Sequence, residues 1–173
     1  MAQRIPFYQD PAFWRPQTYA LLGALACVVA LSAAPLWQLD TRGATGHFTL
    51  QGVQWRGEAP TCWVGTAEAD ATLPHLAFTL LLLFETLVTL ALYGRRPVQR
   101  LLALAGAVNF GVFAALSYFV CQTVLGGANA PCAPSISPSW GLVGALLGAV
   151  LCLVAVRGIQ HDIATLKRMD RFR

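Results

Sequence analysis

The sequence predicts an all-α membrane protein: a bundle of four transmembrane helices with a small β-containing loop outside and both chain ends in the cytoplasm. Three observations predict it. Of the 173 residues 56 % are hydrophobic and only 12 % charged, against about 25 % charged in an average soluble domain. The apolar residues gather into four runs of about 18 to 25 residues, the length that crosses a hydrocarbon core of about 30 Å at 1.5 Å per residue. Ten of the twelve Lys and Arg residues fall on one side of those runs, and basic residues near span ends stay cytoplasmic.

The first run is Gln17–Leu36, with Trp14, Tyr19 and Trp37 placed as interfacial aromatics. The second, Leu76–Tyr93, follows Pro74, which a first helical turn tolerates, and ends at Gly94. The third, Leu101–Leu125, stops at Gly126 and Gly127, and the fourth covers Pro138–Val156. Around them lie an N-terminal arm (Met1–Pro16), an outer loop (Trp37–His75), an inner loop (Gly94–Arg100), a second outer loop (Gly126–Ser137) and a tail (Arg157–Arg173).

Sidedness follows from charge. Arg4, Arg15, Arg95, Arg96, Arg100, Arg157, Lys167, Arg168, Arg171 and Arg173 lie on the inner side, whereas the outer loops hold only Arg42 and Arg56 beside four acidic residues. A cleaved signal peptide competes for the first run, because Ser32, Ala33 and Ala34 are small. The run is longer than the 7 to 15 residues of a usual signal core, and cleavage would leave the other three orientations unchanged. The net charge of +4 is accounted for by the inner segments. Nucleic-acid binding requires a clustered basic face with base-reading elements, and none is visible.

In the tail, Ile159, Ile163 and Leu166 recur at helical spacing beside Arg157, Lys167, Arg168, Arg171 and Arg173. A helix continuing from span four would rest this stripe on the inner leaflet, where each basic residue contributes about 1 kcal/mol with anionic lipid. A partner-binding helix is the alternative.

The first outer loop is too long to be structureless in a compact protein. Residues 47–51 and 53–56 alternate apolar and polar around Gly52, the pattern of a hairpin. Because a two-stranded ribbon is marginal in water, it should lie on the span ends or borrow strands, anchored by Trp55 and Trp63.

Of five cysteines, Cys27 and Cys152 lie within spans as packing residues. An oxidising outer compartment would favour a Cys62–Cys132 bridge joining the two outer loops, with Cys121–Cys132 the rival pairing. A quinone-coupled disulfide oxidase would need a C-x-x-C pair, which is missing.

Glu85 is the one ionisable residue inside a span, about 15 Å along its helix from Arg95 and so near the midplane. Asn109 lies about 14 Å after Arg100, and the short turn between spans two and three makes them antiparallel. The two residues sit at matching depth. Either a hydrogen bond joins the helices, or Glu85 handles protons or ions. Thr79, Thr86 and Thr89 add polarity nearby but can bond their own helix.

Small residues four apart form a second candidate feature: Ala103, Ala107, Gly111 and Ala115 on span three, Gly144 and Gly148 on span four. Such lines let helix backbones approach closely. Span four or another protein could fill the first.

The opening Met1–Ile5, the Gln17–Leu22 start of span one, its Pro35-Leu36-Trp37 exit and the closing Asp170–Arg173 together resemble the four-span DUF4293 membrane proteins of Bacteroidota and their relatives. Residues Pro6–Pro16 depart from that pattern as an insert. The resemblance covers the whole four-span plan and implies a bacterial inner membrane with the outer loops in the periplasm, but no activity. Together with the absence of a catalytic, nucleotide, cofactor or metal motif, it leads to the expectation of a non-enzymatic accessory or scaffold subunit that contacts lipid and other membrane subunits. A small transporter using Glu85 is the alternative. A lipid or quinone site between helices is compatible with Trp14, Trp37 and Trp140 but not indicated by them.

Overall fold

The computed structural model describes residues 15–41, 44–56, 67–125 and 135–171. They form four helices, α1 (Pro16–Ala33), α2 (Ala67–Ala91), α3 (Arg96–Leu125) and α4 (Trp140–Arg171), and four strands, β1 (Trp37–Thr41), β2 (Ala44–Thr49), β3 (Gly52–Arg56) and β4 (Ser135–Pro138). Three helices, α1, α3 and α4, are long and apolar enough to cross a membrane, and the apolar part of α2 is the shorter segment His75–Ala91.

The helix ends have local causes. Helix α1 stops at Ala33 because Pro35 forces Ala34 into extended backbone (φ −86°, ψ 142°). Helix α2 begins at Ala67, seven residues ahead of Pro74. Pro74 is therefore inside the helix and not at its first turn as the sequence suggested. A turn over residues 92–95, closed by Arg95 N–H donating to the Leu92 carbonyl at 2.9 Å, leads into α3. Arg96 and Arg100 are thus helical, where an inner loop was expected. Helix α4 runs unbroken to Arg171 and carries the tail with it.

The packing runs round a ring. Helix α4 packs most extensively, against α1 on one side and α3 on the other, and α2 closes the ring between α3 and α1. Helices α1 and α4 are antiparallel, with Gly158 against Gln17, Gly23 against Leu151, Gly144 facing Leu31 and Gly141 against Pro35. The α1 start, the α2–α3 turn and the α4 end therefore share one pole of the bundle. The sheet covers the other.

The sheet is antiparallel in the order β3-β2-β1-β4. The predicted hairpin is its β2–β3 half, with Thr49 opposite Gly52. Gly52 has φ 113°, a conformation that suits glycine and fits a bulge beside the tight turn. The two further strands supply what an isolated ribbon lacks. One sheet face is apolar: Trp37, Leu39 and Phe48 are buried against Leu36, Phe110 and Phe113, with Val53, Trp55 and Ile136 packed beside them. The other face is polar, with Gln54, His47, Gln38 and Ser137 in one cross-strand row. Trp55 lies over Gly46 on the neighbouring strand, where a Cβ would come within 2.8 Å of its ring. The Trp37 indole N–H donates to Ser117 Oγ at 3.2 Å, tying the sheet to α3.

The β1–β4 ladder joins the two outer loops, Leu39 opposite Ile136. Sequence reasoning gave that task to Cys62 and Cys132, which lie outside the described residues, as does Trp63. Cys121, the rival partner, is a buried free thiol, as are Cys27 and Cys152.

Candidate functional site

The polar centre of the bundle is built by α2, α3 and α4. Asn109 Nδ2 on α3 donates to Glu85 Oε2 on α2 at 2.8 Å, and the pair is partly buried. The tight turn after α2 brings α3 back alongside it, and the two side chains meet across the pair of helices although Asn109 lies farther from the turn than Glu85. Gly106, nearly one turn before Asn109, leaves room for the carboxyl group, whose carbon lies 3.9 Å from where a Cβ would stand. The same missing side chain admits Cys152 of α4, with its sulfur 3.5 Å from that position. Sequence reasoning named Cys152 as a packing residue but did not place it beside Glu85, and it missed Gly106, because nothing in the pattern said which face of α4 turns towards α2.

The threonines near Glu85 are engaged on their own helix. Thr79, Thr86 and Thr89 donate to the carbonyls of His75, Leu82 and Glu85 at 2.9, 2.7 and 2.7 Å. These bonds satisfy hydroxyls that burial would otherwise penalise. Toward the sheet, the His75 ring meets Phe48 and Phe113 edge-on, at 5.2 and 6.0 Å. Among the described residues no group of three or more His, Cys, Asp or Glu side chains could hold a metal ion.

The small-residue line on α3 does not form one face. Ala103 and Ala107 are buried inside the bundle. Gly111 and Ala115 are exposed, and a Cβ on Gly111 would meet nothing within 4 Å. A four-residue step advances a helix by 400°, so the line drifts about 40° per step and leaves the interface after two steps. On α4, Gly148 packs against Phe110 of α3, while Gly144 turns to Leu31 of α1. Both glycines thus serve contacts within the chain.

The charged pole has its own geometry. Asp162 of α4 accepts from Gln17 Nε2 at 2.8 Å and pairs with Arg15 at 3.3 Å, fixing the start of α1. With its amide oxygen turned to α3, Gln160 accepts from Arg100 Nη2 at 3.1 Å and Nε at 3.2 Å. The tail stripe begins as core: Ile159 is fully buried with Ala20, Leu21, Ala103 and Ala155, and Ile163 packs against them. Arg157, Lys167 and Arg168 are exposed. Arg171 ends α4, and Arg173 lies outside the described residues, as do residues 1–14 of the N-terminal arm.

No curated protein matches this chain. The family described as Domain of unknown function (DUF4293) matches residues 14–172, a stretch that includes the sheet and all four helices. The chain belongs to the DUF4293 family.

Proposed function

We propose that all four helices cross a bacterial inner membrane, with both chain ends cytoplasmic and the sheet in the periplasm, and that the protein is a non-enzymatic accessory or scaffold subunit of a larger membrane assembly. The apolar segment of α2, His75–Ala91, reaches about 26 Å at 1.5 Å per residue and lies in the ring between α1 and α3. The concentration of arginine at the pole opposite the sheet supports the orientation.

One observation carries the subunit reading. In the bundle interior Glu85 bonds Asn109, and three threonines bond carbonyls one turn back. The outer surface offers a place for a partner. There Val108, Gly111, Val112 and Ala115 form an exposed strip of α3 on which a helix of another subunit can approach closely at Gly111.

The test is purification from the native membrane in mild detergent followed by mass measurement. A stoichiometric second subunit, released by Gly111→Leu, is the expected result. Recovery of a bare monomer from gentle extraction would overturn the reading. A transport role keeps one observation in its favour, the position of half-buried Glu85 against Gly106 and Cys152. Glu85→Gln proteoliposomes that have lost ion flux while keeping the fold would support it, and unchanged flux would end it.

A further inference from the structure

The two sides of α4 differ at the charged pole. On the α1 side the one acidic residue of residues 157–169, Asp162, is engaged by Arg15 and Gln17. On the α3 side no ion pair to an acid is formed among the described residues, and basic residues lie on both helices. Arg96 and Arg100 are four residues apart and share a face of α3. Gln160 meets Arg100 across the groove. Lys167 follows Gln160 by seven residues, two helical turns, so it extends the same wall, and Arg157 precedes Gln160 by three.

We propose that this α3–α4 groove binds the phosphate of an anionic phospholipid headgroup at the cytoplasmic membrane surface. Depth supports it: Arg100 lies nine residues, about 14 Å, from midplane Asn109, which is half the thickness of a hydrocarbon core. Arg96 lies about 6 Å further out, at the level of lipid phosphates. Preorganisation supports it too. Gln160 occupies two donors of the Arg100 guanidinium and sets the plane of its fork, and a fixed fork suits the paired oxygens of a phosphate. The lipid chains would then lie along exposed Leu101, Leu104 and Leu153, directly below the basic groups. Basic pockets between helices on the cytoplasmic side bind anionic headgroups for these reasons.

This inference rests on the membrane reading above, but not on the subunit role. The full chain is placed in nanodiscs of neutral lipid containing a small fraction of phosphatidylglycerol or cardiolipin, and retained lipid is counted by native mass spectrometry. Failure to enter the discs at all would overturn the membrane reading itself. In discs, the parent should retain anionic over neutral lipid, and Arg96→Gln with Arg100→Gln should weaken that retention about 30-fold, or about 5-fold per arginine. A control pair on other faces, Arg95→Gln with Arg168→Gln, removes the same charge and should change retention by less than about 2-fold. Equal loss in both pairs would mean diffuse surface attraction and overturn the site. Inorganic phosphate bound by the parent in purely neutral discs, as tightly as the lipid, would make this a free-anion site and overturn the lipid assignment.

Discussion

Gly148 gives the sharpest test of the packing. A Cβ there would stand 2.5 Å from Phe110 Cε1, 2.6 Å from Cζ and 2.9 Å from Cδ1. Carbon atoms at rest are separated by about 3.5 to 4.0 Å, so Gly148→Ala has to part α4 and the ring by about 1 Å. Phe110 is 0 % exposed and has no empty side to turn into. The strain therefore passes to the α3–α4 contact, and overpacking of this kind costs about 1 to 3 kcal/mol. Alanine's better helix propensity returns up to about 1 kcal/mol. A matched variant cancels that gain: Gly111→Ala makes the same chemical change where a Cβ meets nothing within 4 Å. Gly148→Ala should melt below Gly111→Ala by the full overpacking cost. Heating in detergent with a thiol-reactive dye reads it, because Cys27, Cys121 and Cys152 are buried free thiols until the bundle opens. Phe110→Leu should be less harmful in the Gly148→Ala background than alone. Equal melting of the two glycine variants would refute the close contact.

Other outcomes follow from the same geometry. A double-mutant cycle of Glu85→Gln and Asn109→Leu should give a coupling of about 0.6 to 1.7 kcal/mol, and a value of zero would contradict the 2.8 Å bond. Trp37→Phe keeps an aromatic ring but loses the N–H bond to buried Ser117 and part of the packed surface, and should lower stability by at least about 1 kcal/mol, read in the same melting assay. Arg15→Gln removes a partly exposed ion pair and should cost less than about 1 kcal/mol. In intact cells a membrane-impermeant maleimide should label Thr45→Cys on the sheet and spare Met169→Cys near the end of α4, and the reverse pattern would invert the orientation.

Much of this architecture is legible in the sequence, and the exceptions have physical reasons. The apolar runs mark all four helices because their exposed faces and the core are both apolar, so no periodicity is needed to see them. Counting from Arg95 and Arg100 matches Glu85 with Asn109, and the two are hydrogen-bonded, but residues 96–100 are helical, so the constant rise alone does not fix that register. The hairpin showed itself by alternation around Gly52. Strands β1 and β4 did not. Residues 37–41 read only as the start of the first outer loop, and the four residues of β4 end in Pro138, which sits only on a sheet edge. The start of α2 was misplaced because Pro74 is a better first-turn residue than an interior one. Nor could the sequence show that Gly141 must be glycine: its Cβ would lie 2.8 Å from the Pro35 carbonyl oxygen, an atom more than a hundred residues away in the chain.

That contact belongs to a wider arrangement with a consequence for biosynthesis. The main neighbour of the first helix is the last, joined to it at one pole by Asp162 and at the other by Gly141 N–H donating to Pro35 at 2.9 Å. At about 5 to 20 residues per second, the ribosome emits α4 several seconds after α1 has left it. Through that interval the newborn α1 lacks its main packing partner and has only the elements made before α4 to rest on. Its permanent seat exists only once translation is nearly over, so truncation anywhere before α4 leaves an orphaned helix for quality control to find.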